Sequence, residues 1–237
     1  MKPRTFTSSL GISVGAPWEI ARGANLTSDG HIIDFYTKAG NLWDYNALLV
    51  LVPDYGLVMA LNMAGPDGSI PALQEIFSRV MKALIPAVDA VTRSDAIQTY
   101  AATYRSGTNS SLTLSLDDGP GLLVSNFTVN GVDVISGYAA YAGADPASTT
   151  VRLYPTDLQS GNQSAWRAVY DTSSSAEDAA FDAEVLFPQG SCQSWSEIDL
   201  LSYGLRGLDD FVFTIDQKSG KSVTVEPMAW RVVMRRE

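Results

Sequence analysis

The sequence predicts a mainly antiparallel β protein of the α+β kind, organised in two domains. Hydrophobic runs of strand length follow one another at short spacing over most of the 237 residues. One segment between them repeats its apolar residues at intervals of three and four, as an amphipathic helix does. Beyond it the chain alternates apolar and polar residues, so we place the domain boundary near residues 90–98. Residues 1–92 then form a sheet domain with a helix at 69–85, and residues 93–237 form a second β domain.

The first 65 residues predict a meander of three or four strands joined by short turns. Strand-like stretches occupy residues 9–22, 31–40 and 57–65, and a turn cluster "GANLTSDG" separates the first two. The apolar run Ala47–Val52 is too continuous for a half-exposed strand and too short for a membrane helix. We therefore interpret it as a buried central strand, with Lys38 at an edge or turn before it.

The segment "SIPALQEIFSRVMKALIP" gives the clearest helix in the sequence. Ser69 is suited to cap its start, and Pro71 is tolerated in the first turn. Pro86 is predicted to end it, since proline lacks the N–H group that a helix interior needs. Residues 87–107 are then a link with a short helix or an extended lead-in. The apolar helix face should lie against the first sheet.

The second domain shows many short strands at close spacing, with turn signals between them. "DDGPG" and "VNG" mark two turns, and Lys218–Gly220 marks a hairpin. This rhythm is typical of a lipocalin-like antiparallel β-barrel or a sandwich. The mouth of such a barrel, or the cleft between the domains, is where we expect a small apolar ligand to bind.

The acidic composition bears on the possible partners. A net charge of −10 and a pI near 4.5 argue against nucleic acid or an anionic membrane as a partner. The basic residues are scattered apart from Arg235–Arg236, which we interpret as a solvated tail. No window of the sequence is long and apolar enough to span a bilayer.

Few residues have the chemistry of a metal or cofactor site. His31 is the single histidine, which excludes a multi-histidine metal site, and it follows a turn where we expect it to be exposed. Cys192 is the single cysteine, so no internal disulfide forms, and a structural or idle thiol is the simplest interpretation. Three acidic pairs that we expect in loops lack calcium-loop spacing: Asp117–Asp118, Glu177–Asp178 and Asp209–Asp210. Glycine-rich nucleotide motifs are also missing, so we expect neither metal nor cofactor.

The start of the sequence, "MKPRTFTSSLGISVG", has no long apolar stretch, and we therefore expect a cytoplasmic protein. Four tripeptides nevertheless fit the N-glycosylation pattern, and they begin at Asn25, Asn109, Asn126 and Asn162. They fit either coincidence or descent from a secreted ancestor.

Three separated stretches carry a family resemblance: "SVGAPWEI", "DFYTKAGNLWDYNALLVLVPDY" and "YAATYRSGTNSSLTLSLDDGPGL". In this order they resemble the C-terminal part of fungal serine beta-lactamase-like proteins, which are relatives of penicillin-binding proteins and class C beta-lactamases. The resemblance implies that the first domain is a truncated beta-lactamase-type antiparallel sheet with one packed helix.

The resemblance also implies where an active-site strand lies. In that family a Lys-Thr/Ser-Gly triplet beside the catalytic serine helps to hold the acyl group and the oxyanion, and Lys38, Ala39 and Gly40 match it. Ala39 departs from the family's hydroxyl residue. The family's nucleophilic Ser-x-x-Lys motif is absent, because Ser219–Lys221 has the wrong spacing, and Tyr45–Asn46 does not fit the second motif. The resemblance therefore implies that this chain lacks the nucleophile.

Without the family's helical half, one face of the first sheet should be apolar and open. We expect the aromatics Phe35, Tyr36, Trp43 and Tyr45 there, covered by another subunit, by the second domain or by a ligand. A two-fold homodimer is the simplest such cover. We assign Lys38 as the catalytic candidate and assign the substrate-binding candidates as Tyr36, Ala39, Gly40, Trp43 and Tyr45. The alternatives are a solvated Lys38 at a strand end and aromatics that serve packing.

Three functions compete at this stage. The first is a repurposed, non-hydrolytic enzyme of secondary metabolism, which binds an apolar metabolite and promotes its cyclisation or isomerisation without covalent chemistry. The second is a serine hydrolase fragment whose nucleophile half is missing or supplied by another chain. The third is a non-catalytic protein that binds a small hydrophobic molecule. The absent nucleophile favours the first and third, and only turnover of a substrate separates those two.

Overall fold

The computed structural model describes residues 3–107, 109–172, 180–181, 183–185 and 193–237. Cys192 and the acidic pair Glu177–Asp178, both singled out in the sequence, lie outside the described residues. The chain divides into two compact units, Met1–Arg93 and Ser94–Glu237.

The first unit contains a six-stranded antiparallel sheet whose strand order follows the chain order. Its strands are β1 (Thr5–Phe6), β2 (Ile12–Val14), β3 (Glu19–Gly23), β4 (Ile33–Leu42), β5 (Tyr45–Val52) and β6 (Leu57–Ala64). A 3₁₀ turn at Pro53–Tyr55 joins the last two strands. The meander predicted from the short turns is thus present, with six strands where three or four were expected.

One face of this sheet packs against α1 (Ile70–Tyr100). The core between them consists of Ile33, Phe35, Leu48, Val50 and Val52 from the sheet with Leu73, Phe77, Met81 and Ile85 from the helix. The interpretation of Ala47–Val52 as a strand buried on both faces is wrong, because Asn46, Leu48, Val50 and Val52 are buried while Ala47 and Leu49 are exposed. Its opposite face stays open because α1 covers one side alone.

Helix α1 begins as predicted and ends much later than predicted. The Ser69 hydroxyl oxygen accepts a hydrogen bond from the Ala72 amide at 3.3 Å, which confirms the cap. Pro86 does not end the helix, and residues 87–100 are helical rather than a link. The division between the units falls inside this helix. None of the helices in the described part of the chain has the length and apolar content needed to cross a bilayer.

Packing on both sides of Pro86 explains why the helix continues. The buried residues Leu73, Phe77, Met81, Ile85 and Asp89 follow one another in steps of four, so the stripe runs past the proline. The Tyr55 hydroxyl donates a hydrogen bond to Asp89 Oδ1 at 3.0 Å. Burial of this hydroxyl, and to a smaller extent its contact with the Asp89 carboxylate, raises the pKa of Tyr55. These contacts offset a proline cost of about 3 kcal/mol in a helix interior.

The second unit is built on strands that run up and down around a nearly closed ring. The ring strands are β7 (Ala102–Ser106), β8 (Ser110–Ser115), β9 (Leu122–Val129), β11 (Thr150–Ser160), β12 (Gln163–Asp171), β15 (Asp210–Ile215), β16 (Ser222–Pro227) and β17 (Met234–Arg236). Strand β10 (Val132–Asp133) flanks β9, and β13 (Ser202–Tyr203) and β14 (Arg206–Gly207) form a separate two-stranded sheet. The helices are α2 (Val134–Ala142) and α3 (Gln193–Ser196), and a 3₁₀ turn occupies Pro146–Ser148.

Ring closure makes this unit the predicted barrel rather than the alternative sandwich. The order is β9-β11-β12-β15-β16-β17-β7-β8, and β8 pairs back with β9. Three joints of the ring are short, with two paired residues on each strand, namely β9–β11, β16–β17 and β17–β7. The interior is filled by large side chains that are almost fully buried, among them Tyr104, Phe127, Phe211 and Phe213. The part of the barrel that the structure describes is therefore filled by its own side chains.

The interpretation of Arg235–Arg236 as a solvated tail is wrong for Arg236. Its guanidinium donates to the carbonyl oxygens of Thr99 at 2.6 Å and Ala101 at 2.9 Å, at the end of α1. Strand β17 brings it there by pairing with β7, where Arg236 lies opposite Tyr104. Arg235, one residue earlier, is exposed.

Candidate functional site

Strand alternation splits the Lys38–Ala39–Gly40 triplet between the two faces of the first sheet. Lys38 pairs with Leu49 and Gly40 pairs with Ala47 across β4 and β5, on the face that α1 leaves uncovered. Ala39 lies on the other face and packs against the core beneath α1. The family hydroxyl that Ala39 replaces would therefore not share a face with the lysine.

We call the uncovered side of β4–β6 the open face. Its exposed members on those three strands are Lys38, Gly40, Leu42, Tyr45, Ala47, Leu49, Val58, Ala60, Asn62 and Ala64. Several are large and strongly exposed, with Leu42 at 69%, Tyr45 at 68% and Val58 at 68%. Exposed apolar residues in this number make the open face a candidate interaction surface.

Lys38 is held on the open face by an ion pair. Its Nζ atom lies 2.7 Å from Glu19 Oε1, and the two side chains are about half exposed. An exposed ion pair contributes at most about 1 kcal/mol, so its rearrangement costs little. The ammonium group is therefore able to turn toward a bound anion or carbonyl without unfolding its strand.

A shallow depression of about 520 Å³ lies on the open face beside Lys38. Gly40, Leu42, Tyr45, Ala47, Asn62 and Ala64 contribute to its lining. A Cβ added at Gly40 would meet nothing within 4 Å, so the space above this strand is open. Its lining therefore combines the apolar side chains of Leu42 and Tyr45 with asparagines, and Lys38 lies two residues before Gly40 without lining the depression itself.

The structure brings together some of the predicted site residues and separates others. Gly40 and Tyr45 line the depression, and Lys38 lies on the same face of β4, two residues before Gly40. Tyr36 is on that face too, but it is buried against Trp18 with ring centres 6.4 Å apart, and burial raises its pKa. Trp43 lies in the β4–β5 turn, 88% exposed, and is not among the residues that line the depression.

Phe35 was expected on the open face, and that expectation is wrong. Its ring lies beneath α1, 5.3 Å from the Phe77 ring and nearly perpendicular to it. Strand alternation accounts for the difference, since Phe35 and Tyr36 are adjacent and must point to opposite faces.

His31 is half-buried rather than exposed. Its Nδ1 atom lies 2.7 Å from Asp29 Oδ1, and Thr27 donates a second hydrogen bond to the same carboxylate. Burial alone would raise the pKa of Asp29, but these bonds outweigh it and lower that pKa. The pair fixes the turn before β4. The part of the chain that the structure describes contains no group of three His, Cys, Asp or Glu side chains placed to hold a metal.

The second unit contains an aromatic site that sequence reasoning missed. Two adjoining cavities of about 410 and 270 Å³ share the side chains of Tyr138, Tyr141, Tyr170, Leu201 and Leu208. The Tyr138 and Tyr170 rings are stacked, 4.4 Å apart at 27°. The one sequence signal was "GYAAYAG", which places Tyr138 and Tyr141 on one side of α2.

Acidic groups border these cavities. The Tyr138 hydroxyl donates a hydrogen bond to Glu197 Oε2 at 3.3 Å. Burial of this hydroxyl, and to a smaller extent the nearby Glu197 carboxylate, raises the pKa of Tyr138 to about 12. Asp209, which the sequence placed in a loop pair, is buried, and its Oδ2 lies 3.1 Å from Arg167 Nη1. Arg167 also pairs with Asp199. The two ion pairs hold the segment that precedes β15 in place.

Comparison with known proteins supplies the family context. The family described as "Beta-lactamase-like-like, C-terminal domain" matches residues 92–237. A beta-lactamase-like protein of Arthroderma benhamiae is 30% identical, over 95% of this chain and 42% of its own length. A probable hydrolase of Phoma sp. is 27% identical over 93% of this chain and 38% of its own length. A probable hydrolase of Cochliobolus lunatus is 27% identical over 93% and 37%.

The chain thus spans about 40% of the length of the curated relatives it matches. No solved structure matches it.

Proposed function

This chain belongs to the beta-lactamase-like C-terminal domain family, and we propose that it binds a small apolar molecule on the open face without covalent serine chemistry of its own. The observation that carries the proposal is the depression of about 520 Å³ beside Lys38. A site that combines an apolar wall with a single polar anchor is typical of small-molecule binding.

The energetics favour a ligand with one polar end. Contact with Leu42 and Tyr45 removes apolar surface from water, which contributes roughly 25 cal/mol per Å². A hydrogen bond from the Lys38 ammonium to a carbonyl or carboxylate oxygen adds about 1.5–3 kcal/mol, offset by loss of the weak pair with Glu19. An apolar molecule with one such oxygen suits the site best.

The catalytic form of the proposal is that the site promotes cyclisation or isomerisation of its ligand. The apolar wall holds the ligand in a reactive conformation, and the ammonium polarises one carbonyl as charge develops on its oxygen. Neither step needs a nucleophile or a leaving group. The same site without turnover would serve as a plain binding protein.

A second candidate function is a share in a serine hydrolase. It is favoured by the names of two relatives, the probable hydrolases, and by the fraction of their length that the chain spans. In that case the serine comes from a part of the protein, or from another chain, that this sequence does not include. The open face would then border the place where that part docks.

An anionic apolar dye, anilinonaphthalene sulfonate, tests the binding proposal through its fluorescence. Lys38→Ala should weaken dye binding by about 10- to 100-fold, which corresponds to the loss of one charge-assisted hydrogen bond. The control is Lys82→Ala, since Lys82 is an exposed lysine on α1. Equal affinities for the two variants and the native protein would refute the proposed site.

We also propose a two-fold homodimer, because the open face extends to β6, the last strand of the sheet. Strand β6 (Leu57–Ala64) has no charged residue and no proline, the two features that discourage strands from pairing. A second copy that pairs along β6 would join the two open faces.

A further inference from the structure

One side of helix α2 forms a wall of the larger cavity in the second unit, whose volume is about 410 Å³. Four residues of the helix line this cavity at intervals of three and four, namely Val134, Gly137, Tyr138 and Tyr141. Residues at that spacing lie on the same side of a helix. The volume falls within the range of roughly 300–1,000 Å³ that ligand pockets occupy. This cavity therefore has the size of a small-molecule site.

Gly137 keeps the middle of this wall free of a side chain. Glycine is less favourable in a helix interior than any residue except proline. The backbone of Gly137 is that of an ordinary helical residue, so a side chain would not strain it. A Cβ added there would meet nothing within 4 Å. Packing within the described part of the chain therefore does not require this glycine, whereas a ring that lies against the helix backbone would.

The aromatic side chains around this space are held by contacts of their own. The Tyr138 ring is stacked on that of Tyr170, which is buried. The Trp230 ring lies 6.1 Å from the Phe127 ring, nearly perpendicular to it. A wall that is fixed in advance binds a ligand without first ordering its own side chains. Since aromatic rings pair in stacked or edge-to-face arrangements, such a wall favours a flat ring.

The charges of the wall restrict the ligand further. The described residues that line the cavity include no lysine and no arginine, and Asp133 contributes a carboxylate. The start of α2 already uses this carboxylate, which accepts from the Ile135 amide at 3.0 Å and from the Ser136 hydroxyl at 2.7 Å. An anion would lose its water here without gaining a cationic partner. An uncharged ligand avoids that cost.

We infer that this cavity binds a small, flat, uncharged aromatic molecule, which lies against α2 at Gly137. The rings of Tyr138, Tyr141 and Trp230 contact it, and removal of its apolar surface from water supplies most of the affinity. The site is built from residues of the second unit, so it does not depend on the open face.

Three probes test this inference by calorimetry on the full chain. They are naphthalene-2-carboxamide, the anionic naphthalene-2-carboxylate and the caged adamantane-1-carboxamide. We expect the flat amide to bind at least about tenfold more tightly than the carboxylate, because the wall offers no cation. It should bind at least about fivefold more tightly than the caged amide, which cannot stack on the rings. The open face would instead favour the carboxylate through Lys38, so the order of the probes separates the two proposals.

Two substitutions of Gly137 locate the effect. Gly137→Leu fills the space against the helix and should weaken binding of the flat amide by at least about tenfold. Gly137→Ala should raise Tm, because alanine favours a helix, and should still weaken the amide by about threefold. A purely structural glycine would not give this gain in stability together with a loss of binding. The control is Ala140→Leu, at an exposed position of α2 outside the lining, which should leave the affinity unchanged.

Three results would overturn the inference. The first is equal affinity of the flat amide and the carboxylate in the native protein. The second is an unaltered affinity for the amide in both Gly137 variants. The third is loss of self-association in Gly137→Leu without any binding of the amide, which would assign the cavity to a second copy of the chain.

Discussion

The guanidinium of Arg236 holds the end of α1 to the barrel, so its removal should destabilise the second unit. Besides its bonds to Thr99 and Ala101, it makes longer contacts of 3.4 Å with the carbonyl oxygens of Gln98 and Ser222. The last carbonyl groups of a helix have no partners within the helix itself. Arg236→Ala removes their donor and its positive charge together.

The magnitude follows from these contacts. Each of the two short bonds comes from a charged donor, a kind of bond worth about 1.5–3 kcal/mol. The charge at a helix C-terminus adds about 0.3–1 kcal/mol. Since Arg236 is only half-buried, water can hydrogen-bond to some of the carbonyl oxygens that the substitution leaves without a donor. We therefore expect a fall of about 2–3 kcal/mol in the free energy of unfolding, or roughly 5 °C or more in Tm.

Urea unfolding of the full chain, followed by tryptophan fluorescence, measures this loss. Trp166 reports on the barrel core, because it is 6% exposed and its ring lies 4.7 Å from that of Tyr100. The matched control is Arg235→Ala, which removes the neighbouring exposed arginine and should cost less than about 0.5 kcal/mol. If the two variants are equally stable, the carbonyl groups are satisfied by water and the reasoning is refuted.

Four further outcomes are expected. Arg152 lowers the pKa of Asp117 to about 2. The stability that this ion pair contributes is therefore present above pH 4 and is lost as the pH falls toward 2. Because the Asp117 side chain is 40% exposed, the effect is limited to about 1 kcal/mol. Urea titrations should show it abolished in Asp117→Asn and kept in Asp118→Asn. Pro86→Ala, at an exposed helix position, should raise the free energy of unfolding by about 1 kcal/mol or more, and a decrease would contradict the offset by packing. Sedimentation should give about twice the chain mass of 25.5 kDa, whereas a monomer would rule out the β6 dimer. A fluorophosphonate should label no serine, and stoichiometric labelling would refute the non-covalent proposal.

Features set by nearby residues were predictable from the sequence. The turns of the first meander, the Ser69 cap and the alternation of the barrel strands depend on neighbours along the chain. Features set by distant packing were not. The passage of α1 through Pro86 depends on Ile85 and on the bond from Tyr55 to Asp89, and no local pattern reports either.

The candidate sites likewise combine features that local sequence predicts with features that depend on distant packing. Lys38 and Gly40 were placed on a common strand by the family resemblance, and alternation could have assigned Ala39 and Phe35 to the opposite face. The continuous apolar run after Lys38 concealed that alternation, because both the buried and the exposed residues of β5 are apolar. The cavity of Tyr138, Tyr170 and Trp230 comes from three distant segments, and ring closure alone brings them together.

The pairing of β17 with β7 sets an order of events during protein synthesis. Arg236 and its acceptor Thr99 are separated by 137 residues, and β7 can find its last neighbour only after the ribosome has released β17. Until then β7 has a free edge on that side, and the aromatic interior is incompletely enclosed. Such an edge is open to wrong pairing with other nascent chains. The interval between the synthesis of the first and the last barrel strand is therefore the period in which this unit is most exposed to such pairing.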